Sequence, residues 1–388
     1  MASSSEIILG IDLGTTCSTA AAVIDGRLHF VLDSRGEACV PSVVHFPRSG
    51  PPLVGIEGDR LRSGDPQNTV FGIKRLIGRA ADSPPARLLD ACSAFKIRDQ
   101  PGGEAAVQVR NGTYSASEIA AMILRHLREK AEARFGRKIS KTVLTVPVLA
   151  TDGIRAAMVR CGKMAGLEVV RIVSEPVAGA VARGFAGSDW GGEPVLVYDF
   201  GGGTFDAAVV QREQGALRVV SSGGDDCLGG DDFDLAFARW VADVVHRGQA
   251  VDVTKDAILW DRVQRQCEMV KRMLSTASEA RYFIRDAIGS GQKAQSLDYL
   301  VRRSNLTRHW SELVARSVHT SYDTVHDAGL EVRDLGAILM IGGTTYVPQV
   351  RAAVAESFDR PIAIEEDPQT AVARGAALLA AQAVRLAA

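Results

Sequence analysis

The 388-residue sequence has no run of 18 or more apolar residues, so no segment reads as a membrane-spanning helix. Its start, Met1-Ala2-Ser3-Ser4-Ser5, lacks the basic stretch and apolar core of a secretory signal. Charge of either sign is not in excess: the net value is −1. The short pairs Lys74-Arg75 and Arg302-Arg303 do not make the concentrated basic face that a nucleic-acid groove needs. Cysteine is sparse, with six residues at 17, 39, 92, 161, 227 and 267, and no C-x-x-C occurs. The seven histidines never fall at i, i+4, which argues against a zinc site. These features predict a cytoplasmic protein whose cysteines are mostly reduced, buried thiols. No G-x-x-x-x-G-K-[ST] is present, which excludes a P-loop enzyme, and no G-x-S-x-G elbow points to an α/β hydrolase.

What remains is ordinary globular composition, 46% hydrophobic and 23% charged, in a chain long enough for two or more compact units. The strongest signal is an internal repeat. Residues 7–16 read I-I-L-G-I-D-L-G-T-T and residues 195–204 read V-L-V-Y-D-F-G-G-G-T. Each is an apolar strand that reaches an Asp, breaks into Gly and Thr, and continues into a β-rich run, at 18–24 and 205–211. Two such hairpins nearly half a chain apart predict a duplicated α/β unit.

Between the repeats, Ser115 and Glu118 have the spacing of a capping box, followed by an i, i+4 stripe through Ile119, Ile123, Leu127, Ala131 and Phe135 that Gly136 closes. Strands are expected at 142–146, 168–173 and 337–341. Helices are expected at 151–165, 178–183, 231–245, 256–274 and 370–386. Residues 47–64 and 80–112 carry the Pro, Gly and polar residues of peripheral insertions.

Gly lets backbone N–H groups approach a phosphate, and Thr hydroxyls add donors. An Asp just before such a turn would repel phosphate unless a cation lies between, so Asp12 and Asp199 imply Mg²⁺ held through water. One D-x-G-T alone also reads as a plain turn; two copies on matching strands favour a paired phosphate grip.

At this point the sequence resembles a known family. Gly10-Ile11-Asp12-Leu13-Gly14-Thr15-Thr16 and Asp199-Phe200-Gly201-Gly202-Gly203-Thr204-Phe205-Asp206 look like the two phosphate motifs of the seventy-kilodalton heat-shock (DnaK-type) chaperones. Further matches follow in order: Pro66-Gln67-Asn68-Thr69, Lys74-Arg75-Leu76-Ile77-Gly78-Arg79, Ala165-Gly166-Leu167-Glu168, Ser174-Glu175-Pro176, residues 228–234 and Ile341-Gly342-Gly343. Sugar kinases and actins share the hairpins but not this set.

The resemblance implies an actin-like ATPase fold of the α/β class, with two lobes from a duplicated, ribonuclease H-like unit around a central nucleotide cleft. Lobe I would span 1–192, with a peripheral insertion about 44–114. Lobe II would span 193–388, with a helical and sheet subdomain about 232–310 and a terminal helix returning to the cleft base. Gly14, Thr15, Thr16 and Cys17 would line the phosphates of ATP or ADP, with Gly201, Gly202, Gly203 and Thr204 opposite. Asp12 and Asp199 would hold the waters around Mg²⁺, and by analogy K⁺ would sit nearby. Lys74 matches the catalytic lysine, and Glu175 and Asp206 match carboxylates that orient the attacking water. Glu268, Lys271, Arg272 and Ser275, on one helical face, would contact the adenosine. Gly230, Gly342, Gly343 and Thr344 would line the same pocket.

Some positions depart from the family pattern. Cys17 replaces the usual Asn or Tyr and reads either as a small buried thiol or as a nucleotide-shielded reactive one. Tyr346 stands where an Arg covers the adenine, so its ring is expected to stack on the base together with Arg272. Asp367-Pro368-Gln369-Thr370 lacks the acidic pair that the family carries after Pro. Pro147 and Arg155, of the interlobe switch, and Arg171 are retained, but Val148 and Leu149 replace an aromatic pair, and Ser174 and Val177 differ from the usual Asn and Thr. Docking of an ordinary J-domain cochaperone is therefore not expected from these positions. The 388 residues do not contain the linker and peptide-binding domain of the full chaperone, so the implied partners are adenine nucleotide, a peptide-binding domain or a separate partner, a nucleotide-exchange factor and, despite the changed positions, a J-domain cochaperone as an open case. The implied function is a slow, partner-gated ATPase whose lobe movement controls that unit; the alternative is a nucleotide-binding scaffold without hydrolysis.

Overall fold

The structure, a computed structural model, describes residues 6–387 except 186, 188–190, 290 and 366. The chain opens with β1 (Ile8–Asp12), β2 (Cys17–Ile24), β3 (Arg27–Phe30) and the short β4 (Val40–Pro41). It then leaves the main sheet for a peripheral excursion. Strands β5 (Val44–His45), β6 (Leu53–Val54) and β7 (Thr69–Val70) form one small sheet, and β8 (Lys96–Arg98), β9 (Ala106–Val109) and β10 (Gly112–Ser115) another. Helices α1 (Ile56–Arg62) and α2 (Pro84–Cys92) accompany them, so both proposed insertions carry elements of their own. Helix α3 (Ala116–Phe135) returns to β11 (Lys141–Val146), α4 (Asp152–Met164), β12 (Glu168–Ser174) and α5 (Glu175–Arg183).

The second half begins with β13 (Val195–Phe200), β14 (Phe205–Glu213) and β15 (Ala216–Asp225). It leaves the sheet through α6 (Gly230–Gln249), α7 (Ala257–Leu274), the hairpin β16 (Glu279–Ile288) and β17 (Gln295–Arg302), and α8 (Arg303–Asp327). It closes with β18 (Ala337–Ile341), α9 (Pro348–Phe358), β19 (Ile362–Ile364) and α10 (Ala371–Ala387).

The duplication inferred from sequence is visible as topology. The first sheet runs β12-β11-β1-β2-β3 and the second β19-β18-β13-β14-β15. In each, the opening strand pairs antiparallel with the next strand and parallel with a later one, β1 with β11 and β13 with β18. Strands β13 and β18 are buried along their whole length, as expected of central strands covered on both faces.

Helix ends follow the local chemistry. The Ser115 hydroxyl accepts from Glu118 N at 3.1 Å while a Glu118 carboxylate oxygen accepts from Ser115 N at 2.7 Å, and Gly136 takes the left-handed conformation at the far end. Asp256 caps α7 by accepting from Ile258 N and Leu259 N. Helix α5 starts at Glu175 rather than at the expected 178, because Pro176 is tolerated in a first helical turn.

Each half has its own apolar core. A third cluster joins them through α5 and α10, with Ala178, Val197, Leu339 and Ala376 among its buried members. Small residues make that junction possible. A Cβ on Gly375 would lie 1.8 Å from the Ala178 carbonyl oxygen, and one on Gly10 would lie 2.1 Å from Ala377 N. Helix α10 is thus pressed against α5 and the first sheet.

Candidate functional site

The two Gly-Thr turns meet. The first joins β1 to β2, and in the second Gly201 N donates to Thr204 O at 3.0 Å as β13 turns into β14. A Cβ on Gly202 would come 2.0 Å from Thr16 Oγ1, and one on Gly203 would come 2.4 Å from Thr15 Cγ2. Only glycine allows that approach. Thr16 Oγ1 also donates to Asp231 Oδ1 at 3.1 Å, which ties the first turn to the start of α6.

Beneath the turns lies a cluster of four carboxyl groups and one ammonium. Lys74, on a short 3-10 turn at Ile73–Arg75, has its Nζ 2.7 Å from Glu175 Oε1 at the start of α5. Asp12, the last residue of β1, accepts from Thr145 Oγ1 at 3.1 Å. Asp199 and Asp206 face each other across the β13–β14 pair. Asp206 Oδ1 accepts from Val148 N at 3.1 Å, a bond from the first half of the chain to the second.

Electrostatics follow from this crowding. Burial opposes the charge on Lys74, but Glu175, Asp12 and Asp206 outweigh it and hold the ammonium protonated well beyond neutral pH. Burial raises the Glu175 carboxyl, with Asp12 and Asp206 adding to the rise and Lys74 opposing it. Asp199 is pushed well above the carboxylate range by burial and then by Glu175, Asp206 and Asp12. Burial moves Asp206 up to about 6 against the pull of Lys74. Asp12 rises for the same reason. One ammonium cannot balance four carboxylates in a medium of low dielectric, so the donor set suits a divalent cation. Among the described residues, no three acidic, His or Cys side chains gather closely enough to hold a metal directly.

The expected nucleoside residues sit on the last turns of α7, but Lys271 is already engaged. Its Nζ donates to Gly230 O at 2.7 Å and to Asp234 Oδ2 at 2.6 Å. Burial pushes the Asp234 carboxyl up to about 8, against the pull of Lys271. Arg272 pairs with Glu268 at 3.9 Å, and Ser275 donates to Lys271 O at 3.4 Å. Thr344 Oγ1 donates to Gly201 O at 2.7 Å, and Gly342 N to Pro368 O at 3.0 Å, so 342–346 is anchored to the second turn and to the 367–370 segment. The Arg351 guanidinium lies over the Tyr346 ring, 5.6 Å from its centroid. Arg351 also donates to Thr345 O at 2.6 Å, a local bond that draws it to the ring.

The expectation for the cysteines is corrected at two positions. Cys17 and Cys39 form a disulfide, with their Cα atoms 5.6 Å apart, so Cys17 is neither a small buried thiol nor a lone reactive one. The pairing of β2 with β4 brings them together, which a sequence separation of 22 does not reveal. Cys161 and Cys267 are free and buried, as expected, while Cys92 and Cys227 are free and half-buried.

Reasoning from sequence missed several other participants. Arg75, beside Lys74, reaches Asp232 at 3.1 Å from a buried position. Arg79 reaches Asp226 at 2.6 Å. Thr145 and the Val148 amide position Asp12 and Asp206. The Lys-Arg pair and the acidic run at 231–234 carried a signal for Arg75; a backbone amide carries none. Pro147 lines a small cavity together with Lys74, Thr204 and Met158, and Arg155 donates to Ala150 O at 3.1 Å.

No helix among the described residues is long and apolar enough to cross a membrane. A family model described as Hsp70 protein matches residues 8–384, nearly the whole chain. Domains of that family bind ATP or ADP with Mg²⁺, and ATP hydrolysis is their general activity. The mixed α/β architecture with its repeated sheets is that of the actin-like ATPase fold. The match covers the nucleotide-binding region of those chaperones, and the chain belongs to the Hsp70 family.

Proposed function

We propose that this chain hydrolyses ATP to ADP and phosphate between two lobes, 1–192 and 193–388, and that their movement controls a peptide-binding unit. The observation carrying this reading is the meeting of the two Gly-Thr turns, with Thr204 of the second turn and Lys74 lining one cavity. Backbone amides of both turns and the hydroxyls of Thr15, Thr16 and Thr204 grip the phosphates. Lys74 neutralises charge that spreads over the transferring phosphoryl group, and Glu175 fixes the position of its ammonium. Asp206, held by the Val148 amide and Thr204, orients the attacking water and receives its proton. Bound Mg²⁺, held through water by Asp12 and Asp199, supplies charge neutralisation at the phosphate oxygens. Adenosine lies toward Glu268, Arg272, Ser275 and Tyr346. The turns are in contact, so a triphosphate enters only as the lobes part.

Single-turnover hydrolysis of bound ATP tests the reading. Lys74→Ala is expected to keep ATP binding while the hydrolysis rate falls on the order of 10² to 10³. Tight binding with no phosphate released by the native chain would establish the non-hydrolysing scaffold instead.

A further inference from the structure

We propose that Cys17 and Cys39 are a reversible dithiol–disulfide pair through which peroxide-class oxidants and dithiol reductants set the rate of nucleotide exchange. The proposal rests on the reading of the Gly-Thr turns as the phosphate grip. Cys17 follows Thr16 directly and opens β2, and Cys39 directly precedes β4. The antiparallel register Cys17↔Pro41 and Ser18↔Val40 holds the two backbones at a separation that suits a disulfide.

Residues 39–42 are already the clamp of the first turn. Ser42 N donates to Thr16 O at 2.9 Å, Ser42 Oγ donates to Gly14 O at 2.8 Å, and the hydroxyls of Ser18 and Ser42 share a 2.8 Å hydrogen bond. The disulfide adds a covalent tie to these three. Without it the turn can flex away from Gly202 and Gly203 on hydrogen bonds alone; with it the turn moves only with the rest of its sheet. Nucleotide must pass between those same turns, so the oxidised protein exchanges it more slowly.

The other thiols are poorly placed for such chemistry. Burial pushes Cys92 and Cys161 up to about 11, raises Cys227 and raises Cys267 further, so they stay protonated and weakly nucleophilic. Cys17 and Cys39 are only half-buried, and residues 34–37 beside Cys39 are exposed, which gives small oxidants and reductants a path. The chemistry balances in two steps. One thiol loses its proton and the thiolate attacks hydrogen peroxide, forming an S–O bond and breaking O–O, and the departing hydroxide takes up that proton as one water. The second thiol attacks that sulfenic sulfur, forming S–S and breaking S–O, with a second water formed. Two thiols are oxidised and one peroxide is reduced by two electrons. An external dithiol reverses this by exchange and is itself left as a disulfide.

The full chain is treated with hydrogen peroxide or with dithiothreitol, and the reagent is removed. A non-reducing peptide map of the oxidised sample should contain a Cys17–Cys39 cross-linked peptide that is absent after reduction. Release of a fluorescent ADP should be about fivefold slower when oxidised, the low end of usual coupling effects, and should recover with dithiothreitol. Cys39→Ser should bind nucleotide, release it at the reduced rate and ignore peroxide. The proposal is overturned by the absence of the cross-linked peptide, by equal release rates in both states, or by a peroxide effect that persists in Cys39→Ser. If neither state binds nucleotide, control of exchange fails together with the functional reading, while the peptide map still decides the linkage.

Discussion

At the scale of single residues, the site stores electrostatic tension that a ligand can relieve. Asp206 is buried and sits in register opposite Asp199, with its pKa raised to about 6 mainly by burial. A carboxyl raised on folding binds its proton more tightly in the native chain. Its contribution to stability is complete below the unfolded value of about 4 and is lost as pH rises through about 6. Asp206→Asn keeps the acceptor for Val148 N and removes the titration. In nucleotide-free protein, the Tm of this variant relative to the native chain should therefore rise from pH 5 to pH 7, as scanning calorimetry can follow. A gap that stays constant across that range would show that Asp206 does not titrate there. The local motifs that carry Lys74, Glu175 and Asp206 are dense enough to single these residues out in the sequence, and the structure brings them into one cluster. The groups that hold them were not legible there: Thr145 and the Val148 amide act from a strand end and a turn that only folding brings to Asp12 and Asp206.

At the scale of elements, legibility tracks the clarity of end signals and apolar stripes. Helix α3, with its capping box and closing glycine, was readable to within a residue. Helix α8 was not anticipated although it is 25 residues long. Its buried face runs from Leu306, Trp310 and Val314 to Ser317, Ser321 and Thr324 before Val325, so the apolar stripe fades halfway. Those hydroxyls are buried because they have partners: Tyr198 Oη donates to Ser317 Oγ at 2.6 Å and Ser321 Oγ donates to Ser317 O at 2.9 Å. The Ala-rich α10 is legible as a helix, but its role as the junction between α5 and the first sheet depends on distances that sequence does not carry. Gly375→Val tests that role. A side chain there meets the Ala178 carbonyl, a backbone atom that cannot swing aside, so α5 and α10 must separate. The expected loss is at or above the usual overpacking cost of about 1–3 kcal/mol. Denaturant unfolding should register it, and Gly375→Ala should lose less. Native-like stability in both variants would mean that the junction is looser than its geometry indicates.

At the scale of the whole molecule, the two halves are joined below by α10 and bridged above by ion pairs. Arg62 Nε lies 2.8 Å from Asp261 Oδ1, and Arg265 donates to both the carboxylate and the carbonyl of Asp59, at 2.8 and 2.7 Å. Gln264 adds a bond to Cys92 O at 3.0 Å. These contacts run from α1 and the end of α2 across to α7, the helix that also carries the expected nucleoside residues. Parting the Gly-Thr turns far enough to release a nucleotide must stretch them. Each is only partly exposed, so solvent screens it less than a surface pair, and its loss is worth on the order of 1 kcal/mol. Arg265→Ala should therefore raise the release rate of a fluorescent ADP by about fivefold, while single-turnover hydrolysis, which the proposed function assigns to Lys74 and Asp206, stays near the native rate. Arg60, exposed on the same helix as Asp59, is the matched control, and Arg60→Ala should leave release unchanged. Equal release from Arg265→Ala and the native chain would show that the lobes open about some other line, with the α1–α7 bridges intact.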